Sequence, residues 1–195
     1  MVPLKDLSLA KQRLRPALPP EARRELVLRM FSDVLATLRG VQDLAGIAVV
    51  SGDRQLVPAD LLWIKDPGTG LNDAIAAAAC RLELLEATAM LTVPADLPLI
   101  TVEEIEAVLE AGRTTPVVIA PDRIGQGTNG LFLTPSTLFE TQFGIESLAR
   151  HVAAARATGV DAHICELPGF AFDVDLPQDL DELRRRRGTH YFRSW

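Results

Sequence analysis

Three aspartates leave apolar runs of this chain at places where a carboxylate has little freedom to turn away. Asp96 follows Met90-Leu91-Thr92-Val93 in the segment Pro94-Ala95-Asp96-Leu97-Pro98, where two prolines stiffen the backbone. Asp173 and Asp175 alternate in Phe172-Asp173-Val174-Asp175-Leu176-Pro177, an extended stretch that sends both side chains to one side. Hard carboxylate oxygens suit Mg2+, which takes one or two carboxylates together with substrate phosphates. Asp96 could instead cap a helix, but Thr101, with Glu104 three residues on, already forms a capping box. Asp175 is the expected cap of the helix that Pro177 opens, which leaves Asp173 the better metal candidate of that pair.

Groups that bind anions lie elsewhere in the chain. Lys5, Lys11 and Arg13 occupy the segment Lys5-Asp6-Leu7-Ser8-Leu9-Ala10-Lys11-Gln12-Arg13 after a very short first strand, and could grip a triphosphate, Arg by its fork and Lys as a point charge. The bland alternative is a solvated loop. The glycine-rich run Gly125-Gln126-Gly127-Thr128-Asn129-Gly130 sits between Pro116–Ala120 and Leu131–Leu133, where backbone N–H groups, the Thr128 hydroxyl and the Asn129 amide could wrap an anion or simply reverse the chain. A second glycine-rich turn, Asp66 to Asp73, places Asn72 where it could read a purine base or bind phosphate, or cap a helix. Gly144 N–H and Ser147 Oγ form a smaller candidate anion site, with His151 one turn further along the same helix face. A lone histidine on a helix is more often surface or core than ligand.

The elements that must position these groups alternate between β-rich runs and amphipathic helices, the pattern of an α/β protein. Strands are expected at Val2–Leu4, Ala45–Ser51, Leu61–Lys65, Ala89–Val93, Val117–Ala120, Gly130–Thr134 and Asp161–Leu167. Helices are expected at Glu21–Arg39, where Leu26, Met30, Val34 and Leu38 form one apolar stripe, and at Asn72–Glu86, Val102–Ala111 and Ile145–Thr158. In open α/β sheets ligands collect beyond the carboxyl ends of the strands, which is where the three aspartates fall.

Composition narrows the function. A chain of 195 residues is enough for one domain, residues 1 to 195, with a full core. With 48% hydrophobic but only 5% aromatic residues, that core must be aliphatic. The formal charge of −6, from 20 basic and 26 acidic side chains, argues against a nucleic-acid partner. No apolar run approaches the roughly 20 residues needed to cross a membrane, and no signal peptide is evident, so a soluble, cytoplasmic protein is expected. Cys80 and Cys165 lack disulfide or zinc spacing and read as buried fillers. The run Arg184–Arg187 reads as the cationic end of a terminal helix, favoured by its dipole.

Taken together, Val2-Pro3-Leu4-Lys5 with Ala10-Lys11-Gln12-Arg13-Leu14, Gly70-Leu71-Asn72, Ala95-Asp96-Leu97-Pro98, Gly127-Thr128-Asn129, Phe143-Gly144 with Ser147 and His151, and Asp173-Val174-Asp175 with Pro177 and Asp179-Leu180 resemble one family. In order, and along nearly the whole chain, they are similar to the guanylyltransferases of coenzyme F420 biosynthesis, which activate phosphoenolpyruvate or 2-phospho-L-lactate with GTP. The resemblance implies a three-layer α/β nucleotidyltransferase (GT-A/MobA-like) fold with a mixed, mostly parallel sheet, related to molybdenum-cofactor guanylyltransferases. It implies Mg2+ held by Asp96, Asp173 and Asp175, and the phosphorylated three-carbon acid held by Thr128 or Asn129, Gly144 and Ser147. Lys5, Lys11, Arg13 and Asn72 would serve GTP, with Lys11, Arg13 and Asp96 at the reacting centre and a downstream biosynthetic enzyme to take the product. The first strand is shorter than the family pattern, with only Met1 and Val2 ahead of Pro3.

The chemistry agrees without the resemblance. A phosphate nucleophile is already ionised near neutrality, its second pKa being about 6, so no side chain need remove a proton. What remains is alignment of two polyanions and neutralisation of a departing pyrophosphate. Two other readings use the same residues: transfer to another phosphorylated acceptor such as molybdopterin, and a non-catalytic nucleotide-binding regulator.

Overall fold

The computed structural model describes residues 1–7 and 11–192, so Ser8, Leu9 and Ala10 of the cationic segment lie outside the described residues. In chain order the elements are β1 (Val2–Leu4), α1 (Pro20–Gly40), β2 (Ala48–Ser51), β3 (Leu62–Lys65), α2 (Leu71–Glu83), β4 (Met90–Thr92), α3 (Val102–Gly112), β5 (Val117–Pro121), β6 (Thr128–Leu133), α4 (Ser147–Ala157), β7 (His163–Ile164) and α5 (Pro177–Arg187). Strands β1, β2 and β3 pair in parallel. Strand β6 runs antiparallel between β4 and β5, and β7 lies parallel to β5. The Met1 nitrogen donates to Leu91 O at 2.7 Å and Val93 N–H donates to Met1 O at 3.0 Å, the offset of a parallel pair. These bonds join the two groups of strands into one sheet ordered β3-β2-β1-β4-β6-β5-β7, in which only β6 runs against the rest.

Helices cover both faces because strand side chains alternate. Val49, Leu91 and Val118 face a core built with Leu26, Met30 and Val34 of α1, Ile105 and Val108 of α3, and Leu180 and Leu183 of α5. On the other face Ala48, Val50 and Ile64 meet Ala74, Ile75 and Ala78 of α2, and Val117, Ile119, Leu131 and Leu133 meet Ala155 of α4. The result is the expected three-layer arrangement. The α1 stripe is buried as expected, and Thr101 and Glu104 exchange both capping-box bonds.

Four expectations change. The strand expected over Asp161–Leu167 pairs only at His163–Ile164, because it is an exposed sheet edge that follows β5 for two residues. Thr128 and Asn129 belong to β6 and not to the loop before it. Cys80 is exposed on α2; only Cys165 is partly buried. Asp175 does not cap α5. Asp179, inside the first turn, accepts from Asp175 N–H at 3.0 Å and Leu176 N–H at 2.7 Å. The arginine run behaves as expected: Arg184, Arg185 and Arg186 pair with Asp181 and Glu182, while Arg187 donates to Pro98 O and so braces the segment that carries Asp96. Among the described residues no helix is long and apolar enough to cross a membrane.

Candidate active site

The carboxyl ends of β1 and β4, the start of the antiparallel β6 and the segment before α5 share one edge of the sheet, and there the polar groups converge. Lys11 has a left-handed backbone (φ 50°, ψ 45°), a conformation that costs a non-glycine residue energy and is held only when its surroundings demand it. Its side chain, 7% exposed, donates to Asp96 Oδ2 at 2.5 Å and to Asp175 Oδ1 at 2.7 Å. Arg13, largely exposed, reaches Asp175 Oδ2 at 3.5 Å. Two aspartates from separate segments, one of them 164 residues from Lys11, thus share one buried ammonium. Burial opposes the charge on Lys11, but Asp96 and Asp175 outweigh it and raise its pKa.

The neighbouring carboxyls are driven in opposite directions. Burial works against Asp175, yet contact with Lys11, aided by the charges of Arg13 and Lys5, holds it below the usual carboxylate range. Asp173 is pushed up, first by burial and then by the charges of Asp96 and Asp175, with Lys11 offsetting only part of this. Among the described residues no three His, Cys, Asp or Glu side chains form a finished metal-ligand cluster, since the ammonium stands between Asp96 and Asp175. The donor set nevertheless fits Mg2+ in kind, all oxygen and anionic, with Asp173, raised first by burial and then by the charges of Asp96 and Asp175, lying close to both. An ion held by Asp96 Oδ2 and Asp175 Oδ1 would take the place of the Lys11 ammonium on them.

A second group of residues forms around α4. A register shift between Ala120 and Pro121 puts β6 out of step at its start. Leu131 and Leu133 face α4, and without the shift Asn129 would face it too. Instead Thr128 does, its hydroxyl 2.9 Å from His151 Nδ1, while Asn129 Nδ2 donates to Phe170 O at 2.8 Å on the opposite side. His151 is fully buried and its Nε2 accepts from Gln142 N–H at 2.9 Å. Since that backbone N–H can only donate, the neutral ring carries its hydrogen on Nδ1 and donates to Thr128. Burial lowers the pKa of His151 to about 4, in agreement with that form. Ser147, the buried first residue of α4, lies one turn before His151. The turn leading into it is exposed and twice left-handed, at Gly144 (φ 127°) and Glu146 (φ 55°), and delivers the helix N-terminus that favours an anion.

Asn72 is engaged with this same turn. Its Oδ1 accepts from Phe143 N–H at 2.7 Å and its Nδ2 donates to Phe143 O at 3.1 Å, so the start of α2 braces the approach to Gly144. The glycine-rich loop also differs from expectation. Gly125 N–H donates to Asp122 O and Gln126 N–H to Asp122 Oδ1, so these two groups close the turn on itself and do not cradle an anion. Gly125 (φ 73°) supplies the turn, and Gly130 is small because Phe170 lies where its Cβ would go. The structure therefore brings Lys11, Arg13, Asp96 and Asp175 into one cluster, with Lys5 and Asp173 acting on it electrostatically, and Thr128 and Ser147 into another with His151. Asn72 and Asn129 hold backbone. Sequence reasoning missed Asp122 and Arg123 altogether, and gave Asp179 no role beyond its place in a motif.

This architecture is found in enzymes that handle nucleotides. A structure assigned as a nucleotide-diphospho-sugar transferase from Desulfovibrio desulfuricans G20 superposes with a TM-score of 0.78 at 16% identity, covering 98% of this chain and 88% of that one. The CMP:2-keto-3-deoxy-manno-octonic acid synthetase complexed with CTP does so with a TM-score of 0.64 at 14% identity, covering 97% of each. The fold is that of the nucleotidyltransferases. Within that class, residues 1–191 match the family described as Guanylyl transferase CofC like, and the chain belongs to it. Its relatives include phosphoenolpyruvate guanylyltransferases from Rubrobacter xylanophilus (40% identical, covering 98% of this chain and 95% of the relative) and Sphaerobacter thermophilus (37%, covering 94% and 90%). A 2-phospho-L-lactate guanylyltransferase from Methanocaldococcus jannaschii is 30% identical, covering 94% of this chain and 80% of its own.

Proposed function

We propose that the protein transfers GMP from GTP to phosphoenolpyruvate, with 2-phospho-L-lactate as the alternative acceptor, releasing pyrophosphate in a cytoplasmic step of coenzyme F420 biosynthesis. The observation that carries this reading is the buried Lys11 ammonium held by Asp96 and Asp175 at the edge where the strands end. Family membership and the names of the relatives point to the same donor and acceptors.

An oxygen of the acceptor phosphate attacks the α-phosphorus of GTP, and the bond from that phosphorus to the bridging oxygen of pyrophosphate breaks. The nucleophile arrives ionised, so the chain's task is to place it and to neutralise charge. Arg13 and Lys5, exposed and close in charge to Asp175, meet the triphosphate first. Lys11 follows by exchanging its carboxylate partners for phosphate oxygens, which places a cation on the developing charge. Asp96, Asp173 and Asp175 would hold Mg2+, which on binding neutralises the phosphates of the donor. The turn at Gly144 and the N-terminus of α4, with Thr128 and Ser147 beneath, receive the acid.

The test is pyrophosphate release measured with four nucleoside triphosphates against phosphoenolpyruvate, 2-phospho-L-lactate and 3-phosphoglycerate in the presence of Mg2+. Turnover is expected with GTP and phosphoenolpyruvate, and less with 2-phospho-L-lactate. A protein that binds GTP but turns over none of the three acids would refute the reading.

A further inference from the structure

The two clusters of the site are joined by a pair of residues, Arg123 and Asp179. Arg123 stands in the β5–β6 turn that leads to Thr128, and its guanidinium donates to Asp179 Oδ1 at 2.7 Å. Asp179 is 2% exposed, and its other oxygen takes the N–H groups of Asp175 and Leu176. One buried carboxylate therefore fixes the backbone of a residue in the Lys11 cluster and, with the opposite oxygen, the turn that feeds the acid cluster. The guanidinium also lies 5.7 Å from the centre of the buried Phe172 ring and in the field of Asp173, at the start of the segment that carries Asp175. On its far side the same turn is tied to α4, since Leu148 N–H donates to Gln126 O at 3.0 Å, and it is closed by the Asp122 bonds already described.

We propose that Asp179 and Arg123 are positioning residues that set the distance between the phosphate of the bound acid and the α-phosphorus of the nucleotide. Transfer between two bound anions depends on that distance more than on the affinity of either one, because a displacement of an ångström between reacting groups can cost about a hundredfold in rate. A carboxylate with both oxygens engaged, one to each half of the site, is built to resist that displacement. The role rests on the guanylyl-transfer reading above.

The experiment uses two substitutions that spare the fold. In Asp179→Asn the single carbonyl oxygen can keep the two backbone N–H groups while the amide presents a donor to Arg123, so the cap survives and the tie is lost. Arg123→Met breaks the tie from its half-exposed end. Each variant should lose about ten- to hundredfold in kcat with KM for GTP and acid within about threefold, since binding surfaces are kept and alignment is not. The double variant should be no slower than the slower single, and Arg123→Lys, which keeps the charge, should recover part of the rate. Independently of turnover, amide exchange at Asp175 and Leu176 should quicken in Arg123→Met.

Unchanged kcat in both single variants, measured well below their unfolding temperatures, would overturn the proposal while wild-type turnover left the function intact. A rise in acid KM with kcat preserved would also overturn it, by making Arg123 a direct ligand. A wild type inactive on every acid would bring down the guanylyl-transfer reading and this role with it.

Discussion

Acidification should loosen this protein through one histidine, by an amount the structure allows to be worked out. His151 is fully buried, with Nε2 accepting from Gln142 N–H and Nδ1 donating to Thr128, and burial lowers its pKa from 6.5 to about 4. A proton on Nε2 would set two donors against each other at Gln142. Because the folded pKa lies below the unfolded one, the unfolded chain binds more protons between those values, so the contribution is absent above pH 6.5 and stability is lost as pH falls through that window. The shift amounts to about 3 kcal/mol once both values are passed, and the share lost between pH 7.5 and 5.0 is about 2 kcal/mol. Urea unfolding of the wild type and of His151→Gln at those two pH values isolates the effect, since carboxylate titrations are common to both chains. The wild type should lose about 2 kcal/mol more than the variant over that interval. Equal losses would refute both the neutral assignment and the bond to Gln142. His151→Gln should also raise KM for the acid more than for GTP, because Thr128 and the Gln142–Gly144 turn belong to the proposed acid site.

Lys11→Met leaves Asp96 and Asp175 facing each other without their ammonium. Turnover should fall by at least about a hundredfold, and the unfolding temperature by several degrees given a cost of about 2 kcal/mol for a pair partly open to water, with a rate within fivefold of wild type counting against the site. Asp96→Asn should abolish Mg2+-dependent pyrophosphate release while binding of the acid persists; full retention of that release would remove Asp96 from the proposed ion. Gly130→Ala would place a methyl 2.7 Å from the buried Phe170 ring, so it should cost about 1–3 kcal/mol in urea unfolding, and a neutral result would show that β6 and Phe170 can separate.

The parts of the fold legible in the sequence were those set by local rules. The α1 stripe, the Thr101–Glu104 box and the helix opened by Pro177 each depend on residues within a turn or two of one another, and each stands as read. Asp175 shows the limit. An aspartate two residues before a proline-led helix looks like a cap, but its carboxylate is claimed by Lys11, 164 residues away, and the capping falls to Asp179. His151 gave no sign of its role either. Its partners lie 9 and 23 residues off, and a helical histidine bound on both nitrogens looks from sequence like any other. The Thr128 and Asn129 alternative turned on a bulge opposite Pro121 that no spacing announces.

The commitments of His151 also bear on the chemistry. A histidine beside a candidate acid site invites the role of general base, but this one is buried, neutral, and bonded at both ring nitrogens, with none left to accept a proton from a substrate. A hydroxyl nucleophile would need such a base, whereas a phosphate nucleophile does not. The charge pattern on the other side agrees. Asp173 and Asp175 lie two residues apart in the same segment, yet one is driven up and the other down, because only Asp175 touches the ammonium. The buried Lys11 ammonium touches two partly exposed carboxylates, Asp96 and Asp175, and lies in the field of a third, Asp173, while the largely exposed Arg13 approaches Asp175 from outside. With His151 committed at both nitrogens and Asp96 and Asp175 bonded to Lys11, the site offers counter-charge and alignment, which is what joining two phosphates requires.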